Sequence, residues 1–328
     1  MSYLNLIRYK NLLFLLLMMW CMQRCVAEPI LAIYGFDSQN LPLQTWQFAL
    51  LCTAVICIAA AGYAINDYFD VKIDTINHPA TRIVGVSIER SQAMLCHQVL
   101  TAIGVIAGIA LAVSLRNLML GALFVFVPGL LWFYSASYKR QFLVGNIIVA
   151  LTVATSVMVV ALANVGALRH IYNDKLLSQT PIVPNLYGWI GAFALFAFLL
   201  TWIREVLKDA EDQEGDREME CRTMPVKYGE KITKIAVIAL ILITAATLAW
   251  LIFRHANNSL TWRYAGFGIM LPLAVLAVMV AIAKNRADYK NAQQLAKYIM
   301  LIGTLYSFVF YYITAKITHI PFFGLFAA

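Results

Sequence analysis

The sequence predicts an all-α polytopic membrane protein of about nine transmembrane helices, one domain over residues 1–328, and three observations point there. Of the 328 residues 62% are hydrophobic and only 13% charged, against about 25% charged in an ordinary soluble domain, and mean hydropathy is +0.74. Nine stretches stay apolar for the roughly 20 residues that a helix needs to cross a bilayer. The basic residues, finally, are sorted onto alternate connections.

In chain order the stretches are 11–33, 46–66, 94–115, 117–135, 142–165, 187–204, 233–253, 264–284 and 297–316. The first begins like a secretory signal, with Arg8 and Lys10 before the run from Leu12 to Trp20. No small-residue cleavage site follows, and Gln23 and Arg24 interrupt it, so it reads as a retained first helix. Arg24 is the one basic residue well inside a span, and a buried structural pair with Glu28 at i+4 is favoured over a place in the tail chamber. The other eight runs are long and continuous, which suits helices that satisfy their own backbone rather than the alternating strands of a barrel.

Placing the N-terminus and every second connection on one side collects eighteen Lys and Arg there, against six opposite and Arg24 in a span. Cytoplasmic loops carry such an excess. The expectation is a cell inner-membrane protein with a cytoplasmic N-terminus and the C-terminus outside. A net charge of +8 distributed in this way is a topology signal and makes no case for a nucleic-acid partner. The six cysteines form no CxxC pair and read as buried thiols. The five histidines are scattered, with only His78 near the acidic segments.

Those segments carry the chemistry. Of seventeen acids, three stand in NDYFDVKID (Asp67, Asp70, Asp74) and eight in REVLKDAEDQEGDREME, between Glu205 and Glu220. Asp67, Asp70 and Asp74 share the spacing DxxDxxxD with Asp209, Asp212 and Asp216. On a continuous helix these offsets fall within about 60° of arc, so each trio is expected on one face. Asn66 extends the first face and Lys208 stands at the matching place of the second. Like charges so placed repel unless a cation compensates. Mg²⁺ suits them, since it takes one or two carboxylates together with water and substrate phosphate. Arg82, Lys139, Arg140, Arg204 and Lys208 lie close by in sequence and would share the charge of a diphosphate. Lys139, on a short loop, is the preferred catalytic candidate among them. Ionisation of an allylic diphosphate requires this kind of leaving-group stabilisation and a chamber shielded from water. Tyr63, Tyr68, Phe69, Phe133 and Tyr134 are candidates to face the cation by position, although aromatics at span ends also serve as interfacial anchors.

NDYFDVKIDTINHP and DAEDQEGDREMECRTMPVKYG resemble the first and second Asp-rich motifs of the UbiA superfamily of intramembrane prenyltransferases, and YSASYKRQFLVGN resembles the segment between them. The resemblance covers essentially the whole chain. It implies nine helices around a central cavity open to lipid, and Mg²⁺-dependent prenyl transfer on the cytoplasmic side. It implies metal and diphosphate positions at Asn66, Asp67, Asp70, Asp74, Asp209, Asp212 and Asp216, with Arg82 and Lys139 as phosphate contacts; Arg204 and Lys208 join them by position. Catalytic weight is expected on Asp70, Asp74, Asp212, Asp216 and Lys139. Two departures are Ile83, where the family often has proline after the arginine, and the vicinity of Cys221, where a glycine is common.

Family members prenylate aromatic acceptors, tetrapyrroles or the glycerol hydroxyl of geranylgeranylglyceryl phosphate. The motif strings are most similar to the last group, with geranylgeranyl diphosphate as donor and membrane lipids as surroundings. A 4-hydroxybenzoate or dihydroxynaphthoate acceptor, for quinone synthesis, is the alternative. A cation-binding transporter is the alternative from another class. It would place its ionisable residues near mid-span, whereas here they cluster at span ends.

Overall fold

The computed structural model describes residues 2–37, 39–77, 79–172, 174–323 and the backbone of 326–327. His78 lies outside the described residues. Among these, nine helices are long and apolar enough to cross a membrane: α1 (Tyr9–Ile33), α2 (Thr45–Asp70), α3 (Arg90–Ser114), α4 (Leu118–Ala136), α5 (Val144–Ile171), α6 (Ile182–Glu211), α7 (Met224–His255), α8 (Ser259–Ile282) and α9 (Arg286–Thr318). Each overlaps one of the nine expected stretches. Several run past their apolar stretch at one end, and α2, α6 and α9 carry polar residues there. The only extended pairing among named strands is a two-residue ladder, Pro321–Phe322 with Phe326–Ala327.

Irregularities in these helices have local causes. α1 and α8 each widen into a π-helical turn, at Met22–Ala27 and Gly266–Met270. A proline follows each, Pro29 and Pro272, whose ring would collide with the carbonyl four residues back in a regular helix. α7 breaks at Gly229, where φ is 80° and ψ 169°, a backbone state that glycine tolerates.

Six helices form an inner ring through the contacts α1–α2, α2–α4, α4–α5, α5–α6, α6–α9 and α9–α1. α3 packs outside on α2 and α4, α7 on α6, and α8 between α7 and α9. The outward face is apolar: Leu118, Val113, Phe126, Phe253 and Phe267 are all well exposed, as helices meeting lipid chains require. Inside, a carboxamide pair substitutes for apolar packing, Asn164 Nδ2 donating to Gln23 Oε1 at 2.7 Å. The expected Arg24–Glu28 pair is present at 2.8 Å, but it is not buried as anticipated: the Arg24 side chain is 47% exposed. The six cysteines are free, with Cys21, Cys25 and Cys221 buried and the others half-buried.

Candidate active site

The two acidic segments meet at one end of the inner ring. Neither forms the continuous helical face that the spacing suggested. α2 ends at Asp70, three residues turn, and Asp74 opens a separate short helix, Asp74–Asn77. α6 ends at Glu211, Asp212 caps it with φ −95° and ψ 8°, and Asp216 sits in a second short helix, Gln213–Glu218. Each trio is therefore split between a spanning helix end and the loop beyond it. The chain turns at both places, and these turns bring Asp74 and Asp216 to the cavity that the helix-end aspartates also line.

They line one polar cavity of about 610 Å³, together with Asn66, Arg82, Lys139 and Lys208. Asp212 and Asp216 are each only 8% exposed. On the first segment, Asn66 Nδ2 donates to Asp70 Oδ2 at 2.7 Å and Arg8 Nη2 pairs with Asp67 Oδ1 at 2.9 Å. The Lys139 ammonium donates to Asp70 and, at 3.5 Å, to Asn66 Oδ1. On the second, Asp209 Oδ2 accepts from Asn146 Nδ2 at 2.8 Å, and Asp212 Oδ1 faces Arg286 Nη2 at 3.4 Å. Asp74 lines the same cavity.

Two short-range devices hold these groups. Lys139 lies in a 3₁₀ turn, Tyr138–Arg140, packed so closely on Gly145 that a Cβ there would fall 2.8 Å from the Lys139 Cα. The Arg222 amide beyond the second segment donates to the Arg140 carbonyl at 2.8 Å, tying this turn to that loop. Asn77, buried at the end of the first segment, is the second device. Its Nδ2 donates to the Asp212 carbonyl at 3.2 Å and its Oδ1 accepts from the Gly215 amide at 3.0 Å. Arg286, from the start of α9, donates to the Asn77 carbonyl.

Electrostatics follow from this crowding. Burial, reinforced by Asp212, pushes the Asp216 carboxyl up to about 6. Burial also lowers the Lys139 ammonium below the usual lysine value, although Asp70 opposes it. The Cys221 thiol, also on the cavity wall, is raised by burial to about 11, so it stays protonated at neutral pH. Among the described residues no three Cys, His or carboxylate side chains converge into a ready-made metal cage. The donor set is nonetheless hard oxygen from two sides, the chemistry of a divalent cation that completes its shell with phosphate and water. Arg82 Nε is buried with no hydrogen-bond partner among the described residues, and it lines the same wall. A buried donor of this kind fits an anion in the cavity.

Below the polar cavity lies an apolar chamber of about 390 Å³, walled by Val55, Ile58, Leu123, Phe124, Val153 and Val159 among others from the six inner helices. The two share a collar: Arg8, Asn66, Tyr134, Glu205, Lys208 and Asp212 line both. Along α2, Asn66 to Val55 is eleven residues, or about 16 Å of depth at 1.5 Å per residue. Arg204, expected beside the diphosphate, lines the chamber and not the polar cavity, and it pairs with Glu205. Of the aromatic candidates, Tyr63 and Tyr134 face the chamber and Phe69 the polar cavity. Phe133 lines neither compartment and is 59% exposed.

Sequence reasoning passed over Asn77, Asn146 and the pairing roles of Arg8 and Arg286. Asn146 carried a signal, as a carboxamide at the start of the long apolar run of α5. Arg8 and Arg286 were hidden among the topology-setting charges.

The UbiA prenyltransferase family profile matches residues 29–305. The digeranylgeranylglyceryl phosphate synthase of Sulfolobus acidocaldarius is 32% identical over 316 residues, 94% of this chain and 96% of that one. The enzyme of the same name from Methanobrevibacter smithii is 29% identical over 261 residues, 79% and 84% of the two chains. A solved UbiA homolog from Archaeoglobus fulgidus, bound to GPP and Mg²⁺, aligns with a TM-score of 0.56 at 15% identity, covering 92% of this chain and 98% of that one. Matched by the family profile over residues 29–305, with nine membrane-length helices among the described residues, the chain belongs to the UbiA prenyltransferase family.

Proposed function

We propose that the protein transfers a geranylgeranyl group from geranylgeranyl diphosphate to the glycerol hydroxyl of a geranylgeranylglyceryl phosphate-type lipid, releasing pyrophosphate at the cytoplasmic side of the membrane. The observation that carries this reading is the continuity of the two compartments. A cavity bearing six aspartates, Arg82, Lys139 and Lys208 opens through a collar into an apolar chamber. An allylic diphosphate has this same division, a polyanionic head and an apolar tail. The acceptor assignment draws on the two synthases that the chain resembles.

Asn66, Asp67, Asp70, Asp74, Asp209, Asp212 and Asp216 would hold Mg²⁺, the ion bound with GPP in the solved homolog. When bound, Mg²⁺ neutralises charge developing on the departing pyrophosphate. Arg82, Lys139 and Lys208 bind the diphosphate oxygens and take up the remaining charge. Lys139, which donates to Asp70, is placed to take a diphosphate oxygen in its stead, and Asp70 would then be one of the residues available to hold the metal. The chamber walls keep water from the allylic carbon, and the Tyr134 and Tyr63 rings face the region where positive charge develops.

The test is turnover by purified protein in nanodiscs with Mg²⁺, geranylgeranyl diphosphate and a panel of acceptors. The expected product is the digeranylgeranyl lipid with one pyrophosphate per transfer. Product only from an aromatic acid would move the chain to the quinone branch. No product and no pyrophosphate from any acceptor would refute the reading.

A further inference from the structure

We infer that Lys297 and Arg204 form an anion-binding subsite, distinct from the carboxylate cavity, that receives the phosphate monoester of the acceptor lipid. This inference rests on the lipid-acceptor reading above.

The polar rim of the chamber holds four cations: Arg8, Arg204, Lys208 and Lys297. Charge at this depth normally finds a partner, because an unneutralised ion facing an apolar, membrane-enclosed space is costly. Most of the rim is accounted for. Arg8 pairs with Asp67 and Arg204 with Glu205. Glu211 accepts from Gln293 at 2.6 Å and faces Arg286 at 3.9 Å. Lys297 has no ion-pair partner among the described residues, and the charges that bear on it are Arg204, Arg8, Glu205 and Lys208. Three of those four are cations. The chamber is lined by these four cations against three carboxylates, Glu205, Glu211 and Asp212, and the surplus positive charge falls at Lys297, beside the Arg204–Glu205 pair.

That surplus is built on two packed helices. On α6, Arg204, Lys208 and Glu211 follow at i, i+4 and i+7, and on α9, Gln293 and Lys297 follow at i and i+4; both sets share one helix face. α6 and α9 pack directly against each other. Arg204, Gln293 and Lys297 line the chamber but not the polar cavity, so they lie on the opposite side of the collar from the aspartates. A guanidinium and an ammonium beside a carboxamide donor suit a phosphate monoester, which carries up to two charges and several acceptor oxygens. An acceptor held there by its phosphate remains in the membrane while its hydroxyl is presented toward the collar.

The experiment compares wild type, Lys297→Met and Lys297→Arg in neutral phosphatidylcholine nanodiscs. Each receives geranylgeranylglyceryl phosphate or the phosphate-free geranylgeranylglycerol, at saturating geranylgeranyl diphosphate. The expected result is at least a tenfold fall in the kcat/KM preference for the phosphorylated acceptor in Lys297→Met, with most of it restored in Lys297→Arg. Inorganic phosphate should compete with the phosphorylated acceptor in wild type and lose potency in Lys297→Met. Binding of geranylgeranyl diphosphate with Mg²⁺ reports that the variant is folded. An unchanged preference ratio in an active, folded variant overturns the subsite while leaving the proposed function standing. So does a defect that appears only when anionic lipid is added to the disc, which would make Lys297 a headgroup anchor. Wild type that ignores the phosphorylated lipid altogether overturns the proposed function, and the subsite with it.

Discussion

Removing the Asn77 side chain should uncouple the two aspartate segments without unfolding the membrane bundle. Its carboxamide makes two hydrogen bonds to the second segment, to the Asp212 carbonyl and from the Gly215 amide. Asn77→Ala leaves the Gly215 amide buried and unsatisfied. At about 1 kcal/mol for a lost bond and roughly 1–3 kcal/mol for a stranded buried donor, the loops lose about 2–4 kcal/mol of register. Since 1.4 kcal/mol is tenfold, kcat/KM for the diphosphate should fall by a factor of about 30 to 1,000. Gly215→Ala attacks the same contact from the other side, because a Cβ there would stand 2.5–2.7 Å from the Asn77 carboxamide atoms, closer than such atoms can approach. In the double variant the shortened side chain makes room for the new methyl. The two effects should therefore not add, and Asn77→Ala/Gly215→Ala should be about as active as Asn77→Ala alone. The assay is steady-state turnover, paired with thermal unfolding in detergent to show the helices intact. Additive losses, or a fully active Gly215→Ala, would refute the idea that this one contact sets the distance between the segments.

Asp70→Ala and Asp212→Ala should each lower turnover at least a hundredfold while the protein remains folded by circular dichroism; full activity in either would break the two-sided metal model. The Asp216 carboxyl, raised from 3.8 to about 6, binds a proton in the folded state at pH values where the unfolded chain has already lost it. The metal-free protein should therefore gain stability as pH falls from about 6 toward 4, and lose that increment as pH rises through 6. The Mg²⁺ concentration for half-maximal rate should correspondingly climb below pH 6, and a flat profile from pH 7.5 to 5 would count against it. Ala59, on the chamber wall, leaves room that phenylalanine would fill. Ala59→Phe should shift the preference from geranylgeranyl toward geranyl diphosphate by tenfold or more, measured as a kcat/KM ratio, and unchanged chain-length selectivity would place the tail elsewhere.

The spans were legible because lipid imposes a length and a composition that few other constraints produce, and all nine apolar runs became helices. The residues of the cavity were legible as a pair of repeated spacings. Their geometry was not. Val71, Lys72 and Ile73 contain no glycine or proline to announce the turn after Asp70, and tertiary contacts, Asn77 against Gly215 above all, decide it. Arg286 meets Asp212 across 74 positions, and nothing local distinguishes it from the other arginines at helix ends. Arg204 misled for a related reason. Four positions before Lys208 on one helix, it faces the chamber with Glu205 beside it, whereas Lys208 reaches both compartments.

The collar of Arg8, Asn66, Tyr134, Glu205, Lys208 and Asp212 divides what a single prenyl transfer leaves behind. In the proposed reaction the inorganic leaving group and the lipid product would leave on opposite sides of the same six side chains, the one toward water and the other toward hydrocarbon. Once each has moved into its own phase the two seldom meet again, so dilution into separate solvents works against reversal. A protein arranged this way and catalysing the proposed transfer would gain directionality from partitioning.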